Sequence, residues 1–488
     1  MRWLVEFYNE RRGIVARYGI EASLPTAAAR LGRNAVLAEY PPARARRRLS
    51  LFERAERVGG QDGSGWILHR IVKDTGHGAA DVAPAPATSA PQPSEPGSNL
   101  TVYLLTFGWG DVVWERFGHN AIWIRDRASG TDITYNWGMF DFNQPHFVWR
   151  FVTGDTRYWM EGIDLAAMLR YYKARNRSIL SQELNFSPAQ RLKLQQFVEW
   201  NALPQNKFYR YDYYRDNCST RLRDALDHAL GGQLQTATVS RITAGTYRWH
   251  TQRLMTGDVP LYTGITLALG HPADKPISVW DEMFLPVRMA NDLRSVSISD
   301  STGSQIPLVR SESVVFTAGR APEPSSPPNY LPFFVAVGIV FAALLVVLVR
   351  SAEGGHRAAL FAATGLATLW SLIAGISGLA LLFAWFFTKH YFMGRNENLM
   401  HFNPLSIALV VLIPLSVYGL RGVSRAVKFA GFIAALSLFG FVAQGIPFFD
   451  QRNGEIIALA LPINLAVWWT VYRLTFYRRT SLPSSAAL

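Results

Sequence analysis

The sequence predicts two folds in one chain: an α+β domain that folds in water, followed by an all-α bundle of five transmembrane helices. Three observations predict it. Charged residues make up 17% of the 488 positions, against roughly 25% in ordinary soluble domains. From Leu331 onward the chain falls into five charge-free spans, Leu331–Val349, Ala358–Phe387, Leu405–Leu420, Phe429–Pro447 and Ile456–Tyr472, close to the ~17–25 apolar residues that a membrane helix requires. Between Asn99 and Tyr330, strand-like and helix-like stretches mix without regular βαβ alternation. A wholly soluble enzyme is excluded.

Residues 1–98 carry no convincing period. Arg44, Arg46, Arg47 and Arg48 form a basic knot, and Ala79–Ser98 is an Ala/Pro/Ser-rich stretch that reads as a partly polyproline linker. The expectation is a largely disordered extension with one short helix near Leu51–Val58. No secretory signal is visible, because the apolar stretches fall short of the ~7–15-residue core that one needs.

The compact domain is expected over 99–330. Thr101–Phe107 is rich in β-formers and ends at Gly108. Ala121–Arg125 and Ile133–Trp137 read as strands joined by a turn containing Ser129 and Gly130. Asp164–Asn176 reads as a helix capped by Asp164, and Ser187-Pro188 starts another, with Leu194, Phe197 and Val198 as its buried stripe. Ser219–Leu230 reads as a helix that Gly231-Gly232 ends.

The membrane bundle is expected over 331–476, with a cytoplasmic tail at 477–488. Ala358–Phe387 is long for one span, but its halves would be too short to cross, so tilt or an interfacial extension accounts for it. Loops 350–357 and 421–428 and the residues after Tyr472 carry eight Lys/Arg, whereas loops 388–404 and 448–455 carry three. The positive-inside rule puts the first set in the cytoplasm and the soluble domain outside. Residues 331–488 hold 11 Lys/Arg and 4 Asp/Glu, so +7 of the net +13 lies there. The basic excess therefore sets topology, and nucleic acid is not an expected partner.

One cysteine excludes an internal disulfide framework and multi-cysteine metal sites. Cys218 follows Asp216 and Asn217, either of which can cap the helix that begins there. A thiol at a helix N-terminus faces unsatisfied N–H groups, which favour thiolate and can hold an oxyanion. An inert buried thiol is the competing reading. His119, after Gly118, opens a strand and is a platform for a general base. Asn136, or Tyr135 on the opposite face of the next strand, is the candidate to orient it; alternation lets only one point inward. Asp141 and Asn143 could also serve, although a turn is the plainer reading.

These pieces in this order form a pattern: Trp114-Glu-Arg-Phe-Gly-His119-Asn on a strand, Tyr135–Asn143 on the next, Gly154–Met160, then Asp-Asn-Cys218 opening a helix, with Tyr103–Asp111, Asp274–Pro286 and His390–Pro404 alongside. The order resembles the permuted papain-like fold, where histidine precedes cysteine, as in lecithin:retinol acyltransferase-like enzymes. It more closely resembles the Lnb family of bacterial lipoprotein N-acyltransferases over roughly 100–476, and departs from it at 1–98, where the family would need an export signal. The resemblance implies a multi-pass protein of the bacterial inner membrane with a periplasmic domain. It implies that Cys218, with His119 as base, moves an acyl chain from a phospholipid through a thioester to the N-terminal amine of a diacylglyceryl-cysteine lipoprotein. Neither metal nor organic cofactor is expected. The alternatives are a cysteine amidase or peptidase, a lipid hydrolase, or a non-catalytic binding module on a membrane anchor.

In the outer loop, His390, Asn396, Asn398 and Asn403 are candidate contacts for a headgroup or lipoprotein backbone, as are Asp216 and Asn217 near the thiol; plain interfacial anchoring competes. Phe147, Trp149, Phe151, Tyr158, Trp159, Tyr171 and Tyr172 form an aromatic cluster, mostly core, with some members free to line an acyl pocket or rest on the bilayer.

Overall fold

The computed structural model describes residues 1–9, 14–23, 25–39, 66–73, 95–300, 302–419 and 421–480. It divides into two compact units, Met1–Ser94 with Asp141–Phe147 and Leu203–Asn206, and the rest of the chain.

In the first unit, β1 (Arg2–Asn9) pairs antiparallel with β2 (Ile14–Glu21) and with β3 (Trp66–Lys73), giving the order β2-β1-β3. Helix α1 (Pro25–Glu39) follows β2. Val5 and Phe7, two apart on β1, bury against Ala28 and Val36, eight apart on α1. The described residues of 1–98 thus include three strands and a helix that the sequence did not announce. The apolar pattern is brief on each element, and β1 finds β3 only at long range, with Trp3 opposite Lys73. The helix expected near Leu51–Val58 and the linker up to Ser94 lie outside the described residues.

In the second unit an antiparallel seven-stranded sheet comes first. It is built from β4 (Leu100–Phe107), β5 (His119–Asp126), β6 (Thr131–Met139), β7 (Arg157–Asp164), β8 (Ile179–Leu184), β9 (Phe208–Arg210) and β10 (Val309–Phe316), in the order β10-β8-β4-β5-β6-β7-β9. Strand alternation gives the sheet two apolar faces. Leu100, Val102 and Leu104 of β4, with Ile122 and Ile124 of β5, pack with Leu194 and Val198 of α4 (Pro188–Ala202) and Leu222 and Leu226 of α5 (Cys218–Leu230). Leu105, Phe107 and Ala121 pack on the other side with Met168 and Tyr172 of α3 (Leu165–Ala174). Between β6 and β7 lies a short helix, α2 (Phe147–Thr153). The expected caps are present: Asp164 accepts from the Ala167 amide, and Gly231 closes α5 at φ +67°.

Helix α6 (Val259–Ala268) precedes the apolar helices: α7 (Leu331–Glu353), α8 (Arg357–Phe387), α9 (Ser406–Tyr418), α10 (Val423–Ala443) and α11 (Gly454–Thr480). Four of them, α7, α8, α10 and α11, are long and apolar enough to cross a membrane. The stretch expected as a third span, Leu405–Leu420, holds the 13-residue α9, which reaches only about 20 Å. The helices approach through small residues, as lipid-embedded packing favours. A Cβ on Gly338 of α7 would stand 2.5 Å from the Ala458 carbonyl oxygen of α11. Asn464 ties three segments, accepting from Trp370 Nε1 at 2.8 Å and donating to the His401 carbonyl and Ser437 Oγ.

Candidate active site

His119 opens β5 and Asn136 lies on β6. The His119 Nε2–Asn136 Oδ1 separation is 3.1 Å. Asn136 Nδ2 donates to the Thr134 carbonyl at 3.0 Å. A carbonyl only accepts, so the amide orientation is fixed and Oδ1 faces the imidazole. His119 Nε2 therefore carries the proton, and Nδ1 keeps its lone pair. Phe107 and Tyr172 stack on the ring, with centroids 6.0 and 6.1 Å away. Burial pushes the imidazole pKa down to about 4; the Asn136 bond opposes this and Arg177 adds to it. Tyr135, the alternative orienter, faces the opposite way and joins the core against α4 and α5.

Cys218 is the first residue of α5. Asn217 caps the helix: its Oδ1 accepts from the amides of Ser219 and Thr220, and Thr220 Oγ1 accepts from the Asn217 amide. Asn217 Nδ2 donates to the Phe284 and Tyr213 carbonyls. Ser219 Oγ donates to Asn120 Oδ1 at 2.8 Å and lies 2.7 Å from the Met283 carbonyl. Asn120 is the residue after His119, and its backbone N–H also reaches the Cys218 sulfur. The helix start is thus pinned beside the strand that carries the histidine. Gly138, at φ +87°, makes room for it: a Cβ there would stand 3.0 Å from Cys218 Cβ.

The thiol differs from the expectation in two respects. Burial pushes its pKa up to about 11, and the N–H groups of Asn120, Ser219 and Cys218 only partly offset this. The site rests with a neutral thiol and a neutral imidazole, and the helix start does not by itself produce thiolate. The cap also occupies the Ser219 and Thr220 amides, so an oxyanion at this end must use the Cys218 amide. Among the described residues no hydrogen bond joins Cys218 to His119; such contacts often tighten only when substrate binds. Tyr158 and Tyr211, stacked at 4.2 Å, are neighbours of the thiol.

The remaining candidates have structural partners. Asp216 forms a two-pronged ion pair with Arg221. Asp141 and Asn143 are exposed and bond each other in a turn, the plainer of their two readings. Asn396 Nδ2 donates to the Leu267 and Ala268 carbonyls, and Asn398 Nδ2 to those of Thr266 and Leu267, at the C-terminal end of α6. Asn403 caps the turn into α9 through the Leu405 amide. His390 Nε2 donates to the Phe151 carbonyl of α2 at 3.0 Å. Buried amide groups demand partners, and here the exposed carbonyls of a helix end supply them. The loop's polar residues fasten the soluble domain to the helices.

Sequence reasoning missed Phe392 of the same loop. Its ring lies 4.7 Å from that of Tyr214, four residues before the thiol, and Arg215 covers Tyr391 at 3.9 Å. No local signal marks this, since the partners lie far apart in sequence. On α2, Val148, Trp149 and Phe151 are more than half exposed. Trp149 lies 6.4 Å from Phe383 near the end of α8, and the Thr153 carbonyl accepts from the Lys389 amide at 2.8 Å. The expectation that the aromatics there are mostly core holds for Tyr172 and fails for these two rings.

Residues 90–255 match the family described as the Lnb N-terminal periplasmic domain, and residues 328–472 match the Lnb transmembrane domain. No curated protein and no solved structure matches the chain. The first match takes in β5, β6 and the start of α5, and the second takes in the apolar helices; together they make this chain an Lnb-family protein, a membrane protein with a periplasmic domain.

Proposed function

We propose that the chain is a multi-pass acyltransferase of the bacterial inner membrane, with Cys218 as nucleophile, His119 as base and Asn136 holding the base in its reactive tautomer. The observation that carries this reading is the Asn136–His119 bond beside a helix-start cysteine whose next residue, Ser219, bonds Asn120, the residue after His119. His119 Nδ1 takes the thiol proton as sulfur attacks an ester carbonyl of a phospholipid, forming the C–S bond. The Cys218 amide supports the oxyanion. The ester C–O bond breaks, the proton passes to the departing oxygen, and a lysophospholipid leaves. The α-amine of a diacylglyceryl-cysteine lipoprotein then attacks the thioester. A C–N bond forms, C–S breaks, and the amine's proton returns through His119 to sulfur. Confinement of both substrates to the bilayer supplies proximity.

The raised thiol pKa fits this sequence, because proton removal is coupled to attack on a bound donor. The exposed apolar residues of α2 at the end of α8 favour a lipid donor over a soluble one. We read the soluble domain as permuted papain-like, and Leu405–Leu420, which holds α9, as the fifth span.

The test replaces Cys218 with Ala or Ser in cells that depend on this protein for lipoprotein N-acylation and follows the N-terminal acyl group by mass spectrometry. Loss of the N-acyl group, with normal membrane levels of the protein, is expected. Retained acylation overturns the reading. Release of labelled acid to water at the same rate with and without an amine acceptor identifies a hydrolase.

A further inference from the structure

Away from the cysteine, three side chains from three separate segments converge. His271 opens the short turn His271–Asp274 of the periplasmic domain, Glu397 opens the turn Glu397–Met400 before α9, and Asp450 lies between α10 and α11. Their ligand atoms all lie within 4.8 Å of one another. His271 Nδ1 is 2.5 Å from Asp450 Oδ1 and 4.0 Å from Glu397 Oε1. The His271 and Glu397 side chains are 10% and 9% exposed, and Asp450 is 60% exposed.

A simple ion pair accounts poorly for this cluster. Nδ1 pairs with Asp450 at 2.5 Å while a second carboxylate, Glu397, faces the same nitrogen from 4.0 Å, so one imidazole stands against two acids. Two carboxylates held this close to each other also repel. Arg248 pairs with Asp274, its Nε–H shared between the two carboxylate oxygens, which leaves His271 facing both Asp450 and Glu397. Glu397 is oriented as ligating carboxylates are. Its Oε2 accepts from Gln444 Nε2 and its backbone N–H donates to Gln451 Oε1, which leaves Oε1 free.

We propose that His271, Glu397 and Asp450 bind one divalent transition-metal ion, with Zn2+ the best fit, and that the ion clasps the periplasmic domain to two loops of the helical region. One imidazole nitrogen and two carboxylate oxygens, completed by water, form a borderline-soft set suited to Zn2+. Ligand bonds of about 2.0–2.2 Å require a small outward swing of Asp450, which its exposure permits. Mg2+ and Ca2+ prefer all-oxygen shells.

The experiment uses the full chain in nanodiscs, stripped with a chelator and titrated with Zn2+ while bound metal and thermal midpoint are measured. The expected result is one Zn2+ per chain and a higher midpoint. Asp450→Asn, at an exposed position, should fold normally, bind at least about tenfold more weakly and lose the midpoint response. His271→Asn should behave alike; if it fails to fold, the Asp450 variant decides alone. No Zn2+ uptake by the unaltered chain, or equal uptake and equal response in the Asp450 variant, overturns the proposal and leaves a bare ion pair. Cys218 takes no part in either readout, so failure here is distinct from failure of the acyltransferase reading.

Discussion

At the scale of the residue, the neutral amide of Asn136 sets what His119 can do. With its pKa held near 4, the imidazole remains an unprotonated base down to acidic pH, and the acid limb of kcat/KM reports that value. Asn136→Asp puts an anion where Oδ1 now accepts. An opposite charge at this range favours the imidazolium by about 1–3 units. The histidine then protonates at higher pH, so the acid limb moves up by about that amount, read from a pH–rate profile. A purely structural asparagine would leave the limb unmoved. His119, Asn136 and Cys218 were legible because each sits in a local context with chemical meaning: after a glycine, on a strand end, at a helix start. Asn120, Ser219 and Gly138 were not. Their roles arise from contacts between α5 and two strands roughly a hundred residues earlier, and nothing in a local pattern encodes those. The direction of the thiol's shift was also beyond the sequence, because desolvation outweighs the helix-end field only once the surrounding core is known.

At the scale of the element, strands β4, β5 and β6 and helices α3, α4 and α5 appear close to where alternation, caps and glycines put them. Each carries its own start or stop. Elements whose pattern is short, such as β1 and α1, escaped notice, since two or three apolar positions do not define a period. Helix α2 is the informative exception. Its sequence, FVWRFVT, reads as core, yet it buries no residue and lies beside the end of α8. We read a helix that keeps Val148, Trp149 and Phe151 outward as an interfacial element. Replacing Trp149 and Phe151 together with Ser is expected to raise KM for vesicle-borne phospholipid at least about tenfold, equivalent to part of the ~1.5–3 kcal/mol of one buried ring. Turnover of a water-soluble short-chain ester should stay unchanged. Equal losses on both substrates would assign α2 to the fold instead.

At the scale of the whole molecule, the charge distribution of the loops and the docking of the soluble domain agree. Loops 388–404 and 448–455, the basic-poor set, are those whose Asn396 and Asn398 hold carbonyls at the end of α6 and whose Gln451 holds that of Leu269 just after it. Because the chain has one cysteine, orientation is open to a direct check. In a Cys218→Ala background, Tyr391→Cys is expected to react with an impermeant maleimide in intact spheroplasts, and Gly355→Cys only after lysis. The reverse labelling would invert the proposed topology.

The fastening between the outer loop and the segment just before the thiol has a further consequence. Phe392 against Tyr214 and Tyr391 beneath Arg215 leave the Cys218 thiol little freedom to rise or sink relative to the helices. A thiol held at one depth acts as a gauge. On the proposed acyltransferase reading, it would select carbonyls and amines by their height at the bilayer surface, and a lipoprotein whose acceptor amine is carried farther from the lipid by an inserted spacer would be passed over, however well its sequence fits.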